Sequence, residues 1–120
     1  MNIGNKERHL KFGLNQSILY CELRGVTITQ MNKEMSMLAT DSGGILRDLV
    51  WSALKDGARV AGDRFEYTNF EVGDWLEVIT EEGIKEFIDA MTATLPTVKD
   101  EDKKKQASKK KSTSSQLKSS

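Results

Sequence analysis

The chain has 120 residues, of which 38% are hydrophobic and 30% charged, the scale of one small domain with a modest core. No apolar run approaches the roughly 18–20 residues that cross a bilayer, and Met1 to Lys11 lack the apolar stretch of a signal peptide. A single cysteine, Cys21, excludes an internal disulfide and fits a reducing, cytoplasmic-type compartment.

The formal net charge of zero hides a division. From Thr97 onward, eight lysines face only Asp100, Glu101 and Asp102, whereas residues 1–96 hold ten basic and fifteen acidic side chains. The body is therefore acidic and the tail basic. Within 97–120 only Val98, Ala107 and Leu117 are apolar. So little apolar surface cannot offset an ordering entropy of about 1–2 kcal/mol per residue, and a disordered tail is expected. Residues 1–9 are expected to be a flexible N-terminus, which leaves 10–96 as the folded domain.

Hydrophobic period assigns the body to helices. Leu14, Ile18 and Cys21 mark one helical face, with Asn15 as a candidate cap and Gly25 as a stop. Ile28, Met31, Met35 and Leu38 mark a second, capped by Thr27 or Thr29. The β-branched run Val26-Thr27-Ile28-Thr29 is also compatible with extended chain. Leu46, Leu49, Val50, Ala53 and Leu54 form the stripe of an amphipathic helix over 45–56. Asp41 and Ser42 can cap its start, and Gly57 sits where a left-handed terminating residue belongs. Residues 58–67 read as a loop or one short strand, with Phe65 and Tyr67 alternating against polar neighbours.

Thr68 and Glu71 form a capping box ahead of Val72, Trp75, Leu76 and Ile79. Thr80 caps the last stripe, Ile84, Phe87, Ile88 and Met91, with Glu81 and Glu82 at the positive end of the helix dipole. Leu95-Pro96 closes it. The expected fold is all-α: a small bundle of four to five short helices with a disordered Lys/Ser-rich C-terminal tail.

Catalytic chemistry finds little material. Asp41-Ser42-Gly43-Gly44 copies the nucleophile stretch of chymotrypsin-like proteases, but those need two β-barrels and a histidine base. The chain is too short, and its only histidine, His9, is placed in a frayed N-terminus. One His and one Cys do not make a closed zinc site, and no phosphate-binding glycine loop occurs. Cys21 lies on an apolar stripe and reads as a small buried hydrophobe. The sequence reads as a non-enzyme with no cofactor and no metal.

Binding is better served. Trp51 lies about 140° round its helix from Leu46, whereas the stripe centres at about 10°. Such a residue either covers a neighbouring helix or faces a partner, where aromatics concentrate binding energy. Met31, Met35 and Met37 set flexible, polarizable side chains round one helix, which suits variable partners. Core filling is the competing role for Met31 and Met35; Met37 lies off the stripe. The partner-binding candidates are thus Trp51, Met37, Met35 and Met31. Residues 66–89 hold eight acids against Lys85 alone, a field that draws basic groups or simply aids solubility. The lysine tail has no arginine or aromatic to stack on bases, so specific nucleic-acid recognition is not expected.

One family shares this order of elements. Phe12-Gly13-Leu14 opens a helix, Leu49-Val50-Trp51-Ser52-Ala53-Leu54 lies in a leucine-rich one, and Thr68-Asn69-Phe70-Glu71-Val72-Gly73-Asp74-Trp75-Leu76 begins another. Over residues 10–92 the pattern resembles the tail assembly chaperones of long-tailed, siphovirus-type bacteriophages and prophages. The resemblance implies an all-α protein of the host cell cytoplasm that binds the tape measure protein and helps recruit tail tube subunits. Whether such a chain also associates with itself stays open.

The resemblance also implies a longer product made by ribosomal frameshifting. The lysine runs 103–105 and 109–111, whose codons are A-rich, are the natural place for it. The alternative is a structural virion component, a head–tail connector or minor tail protein. A small helical nucleic-acid-associated protein ranks third.

Overall fold

The longest helix, α3 (Gly44–Ala61), is the axis against which α1 (Leu14–Arg24) and α4 (Asn69–Glu77) pack in the computed structural model, which describes residues 1–41 and 43–94. α2 (Ile28–Ser36) lies on α1, and α5 (Glu81–Thr94) seats Phe87 in the core. The fold is all-α, apart from a short hairpin at the start. Among the described residues, no helix is long and apolar enough to cross a membrane.

The caps explain most boundaries. Thr27 accepts a hydrogen bond from the Gln30 amide at 3.1 Å, while the Gln30 side chain accepts from the Thr27 amide at 2.8 Å. This reciprocal box resolves the β-branched run: the helix starts at Ile28, with Thr27 as its cap. Thr68 and Glu71 repeat the arrangement for α4 at 3.1 and 2.8 Å. Thr80 Oγ1 accepts from the Gly83 amide at 3.1 Å to open α5. Asp41 accepts from the amides of Gly43 and Ile45 at 3.0 and 2.9 Å, so this aspartate is a helix cap. Asn15 is not a cap: α1 begins at Leu14, after Gly13.

Gly57 does not end α3. The helix runs through it to Ala61 and stops at Gly62, whose φ of 77° is left-handed. Gly57 is required for a different reason: a Cβ there would lie 1.9 Å from the His9 carbonyl oxygen. The chain before α1 crosses α3 at this point, and the Lys11 amide donates to the Ala53 carbonyl at 3.2 Å. As a consequence residues 58–61 are helical, and only the segment after Gly62 is the expected loop.

Residues 1–9 are not the flexible terminus expected from their polarity. Asn2–Ile3 (β1) pairs antiparallel with Lys6–Glu7 (β2), and both turn residues, Gly4 and Asn5, have positive φ. Met1 and Ile3 are buried with the core. Two apolar side chains in a short polar stretch carry too little pattern for a sequence reading, yet each buried one contributes about 1.5–3 kcal/mol.

The core itself is Tyr20, Leu49, Val50, Leu54, Val72 and Phe87, all fully buried, with the Phe12 ring 5.5 Å from that of Phe87. On two predicted stripes the ends are left in solvent: Leu14 is 72% exposed and Ile28 46%. The expected disordered tail from 97, the close of α5 at Leu95-Pro96 and the capping role of Ser42 lie outside the described residues.

Candidate functional site: a methionine-lined groove

α1, α2 and the end of α5 enclose an apolar groove of about 220 Å3. Its lining includes Phe12, Met31, Met35, Leu49 and Met91. Of these methionines Met31 is the buried one, held by a 3.9 Å contact between its sulfur and Cys21 Sγ. Met35 is half-buried, as the register four residues on in α2 dictates. Below the groove, Gln16 Nε2 donates to Ser52 Oγ and Ser52 donates to the Leu49 carbonyl, both at 2.8 Å. The floor is thus polar but internally satisfied, and the walls present mainly methyl groups, thioethers and one aromatic ring.

The groove continues onto the surface. Ser17 and Ile28 lie on its lining, whereas Leu14 and Ile18 do not, Ile18 standing about 160° round α1 from the lining residue Gln16. Leu14, Ile18 and Ile28 are all exposed. Apolar surface that its own fold leaves uncovered is the kind that marks an interaction site.

Of the four candidate residues, the structure brings Met31 and Met35 together in this groove. Met37 is 47% exposed at the end of α2 and is not part of the lining. Trp51 lies about 200° round α3 from Leu49, on the opposite side of the helix from the groove. Its Nε1 donates to the Tyr67 carbonyl at 2.8 Å, and Lys55 Nζ stands 5.8 Å from the ring centroid. Trp51 braces the connection between α3 and α4. Met91 was missed as a site residue because its stripe on α5 reads as core from the sequence alone.

Two of the groove's helices, α1 and α2, are tied to α3 and α4 by a polar chain. Tyr20 donates to Glu34 at 2.6 Å, Arg24 bridges Glu34 at 3.0 Å and Asp48 at 2.7 Å, and Arg47 and Asn69 both reach Asp48 at 2.9 Å. Burial alone would raise the Asp48 carboxyl, but donation from Arg47, Asn69 and Arg24 outweighs it and holds the group below the usual carboxylate range. Burial, then the bond to Glu34, pushes the Tyr20 phenol up, so it stays a donor.

The hairpin is pinned separately. The Arg8 guanidinium carbon lies 4.7 Å from the Trp75 ring centroid, 5.1 Å from Tyr67 and 5.9 Å from Phe65. Its nitrogens donate to the carbonyls of Ile3 at 2.8 Å and Gly4 at 3.2 Å.

The eight acids of 66–89 are all exposed, and three of them pair with cations: Glu66 with Arg64 and Asp89 with Lys85, each at 2.7 Å, and Glu86 with the N-terminal ammonium of Met1 at 3.4 Å. Among the described residues, no group of three or more His, Cys, Asp or Glu side chains is placed to hold a metal ion. Compared with protein-family models, curated proteins and solved structures, the chain has no match in any of the three.

Proposed function

We propose that this chain is a phage tail assembly chaperone, a binding protein rather than an enzyme, acting in the host cell cytoplasm. It holds an amphipathic helix of the tape measure protein in the methionine-lined groove and helps bring tail tube subunits to it. The observation that carries this reading is the groove itself, with Met31, Met35 and Met91 on its lining beside the exposed Ile28. Thioether walls adapt to successive helices of differing shape, which a long, repetitive helical partner requires. A helix laid in such a groove would anchor through residues at i, i+3 or i+4 and i+7. The similarity of residues 10–92 to the chaperone pattern supplies the identity of the partner. The lysine runs at 103–105 and 109–111 suit the frameshifted longer product of that family, and they lie outside the described residues.

Co-expression with tape measure fragments tests the reading. The expected result is co-purification of at least one helical fragment and its loss with Met35→Glu at unchanged helicity. Finding the protein instead as a stoichiometric component of purified virions would favour the structural alternative.

A further inference from the structure

The methionine groove is edged by the point at which α5 ends. Met91 and Thr94 both stand on its lining, Thr94 being the last residue of the helix. Thr94 Oγ1 donates to the Met91 carbonyl at 2.8 Å, a side-chain bond of the kind that competes with further helical turns. The next residue, Leu95, precedes Pro96, and the proline ring disfavours helical backbone at that position. The chain therefore leaves α5 at the rim of the groove. It does so with apolar side chains: Leu95, Pro96 and Val98 stand together, ahead of the charged run Lys99-Asp100-Glu101-Asp102. Further on, Ala107 and Leu117 stand singly among polar residues.

We infer that the groove holds this chain's own segment 95–98, with the Leu95 and Val98 side chains against Met31, Met35 and Met91, as a cap that a partner helix displaces. In the polyproline II conformation that proline favours, three residues make a turn with a rise of about 3.1 Å each. Leu95 and Val98 then fall on one side of the segment, about 9 Å apart. A cavity of about 150 Å3 takes a benzene-sized group, so the groove's volume of about 220 Å3 matches one or two aliphatic side chains. A partner helix, about 10–12 Å across, can place only its anchor side chains there. Because Leu95 follows Thr94 directly, little loop-closure entropy opposes docking, and the effective concentration at the walls is about millimolar or more. The exposed Ile28 and the half-buried Met35 supply the apolar surface that the segment covers. Displacement by a helix rests on the chaperone reading of the groove, whereas occupancy by 95–98 does not.

Methyl NMR on the full chain tests the cap. With methionine, leucine and valine methyls labelled, cross-relaxation from the Leu95 and Val98 methyls to those of Met31, Met35 and Met91 is expected. The double variant Leu95→Ser/Val98→Ser should shift the three methionine signals, while that of Met37, outside the lining, stays in place. A full chain without the contacts, or a double variant whose methionine signals do not move, overturns the cap and leaves the groove to a partner. Mixing chains labelled only at methionine with chains labelled only at leucine and valine identifies a second copy as the occupant. Contacts seen in that mixture are intermolecular and overturn the cap as well. Displacement is read with an amphipathic helical peptide of the tape measure protein. If 95–98 covers the groove nine-tenths of the time, the double variant should bind this peptide about ten-fold tighter. Equal affinity overturns displacement. Contacts present, with the peptide bound by neither protein, uphold the cap and remove the chaperone reading.

Discussion

The carbonyl of His9 lies so close over Gly57 that a side chain there would collide with backbone, not with a movable side chain. In an open helix, Gly→Ala stabilises by about 0.5–1 kcal/mol. Here Gly57→Ala has to push the strap of residues 9–11 off α3, and overpacking of this kind costs about 1–3 kcal/mol. Urea melts should show a loss of stability with helicity retained. A gain would mean the strap does not cross α3 at this point.

Asp48 joins α1, α3 and α4 through its three donors, Arg24, Arg47 and Asn69. Its folded-state carboxyl is held low, so the unfolded chain binds the proton more readily, and stability rises with pH in that window. The contribution is fully present above the unfolded value of about 3.9 and is lost as pH falls through the folded one. Asp48→Asn should cost about 3 kcal/mol at pH 6. The gap to the unsubstituted protein should narrow in melts taken toward pH 2.5. A constant gap would show that the charge of Asp48 contributes nothing.

The aromatic cage around Arg8 makes the hairpin's attachment measurable. Arg8→Ala removes the contacts with Trp75, Tyr67 and Phe65 and should cost about 1–2 kcal/mol. It should also move the Trp75 emission toward that of a solvated indole. Arg8→Lys keeps the charge but loses the planar fork that reaches the Ile3 and Gly4 carbonyls, so partial recovery is expected. Full recovery by lysine would remove the fork from the account.

Groove and brace separate by substitution. Ile28→Glu, at an exposed position on the groove's lining, should abolish capture of a tape measure fragment at unchanged melting temperature. Trp51→Phe should instead lower stability by about 1 kcal/mol through the lost bond to the Tyr67 carbonyl, and leave capture intact. The reverse pattern would return Trp51 to the binding surface and remove the groove from it.

Local chemistry was legible in the sequence. The capping box at Thr68, a threonine cap for α2 at Thr27 or Thr29, the cap at Asp41, the stop at Gly25 and the stripes through Leu49, Val72 and Phe87 depend on neighbours within a few residues. Such interactions are present in the chain whatever surrounds it, so composition, charge and period determined the helices and the all-α class. What the tertiary structure decided was long-range. Whether Gly57 ends a helix or admits a crossing strap depends on His9, 48 residues away in the chain. Whether Met31, Met35 and Met91 are core or groove depends on how far α2 and α5 stand from α1, and whether Trp51 faces a partner depends on the loop that reaches its indole. A helical stripe records only that a face is apolar; the element that covers it, or fails to, is set by packing between segments distant in sequence.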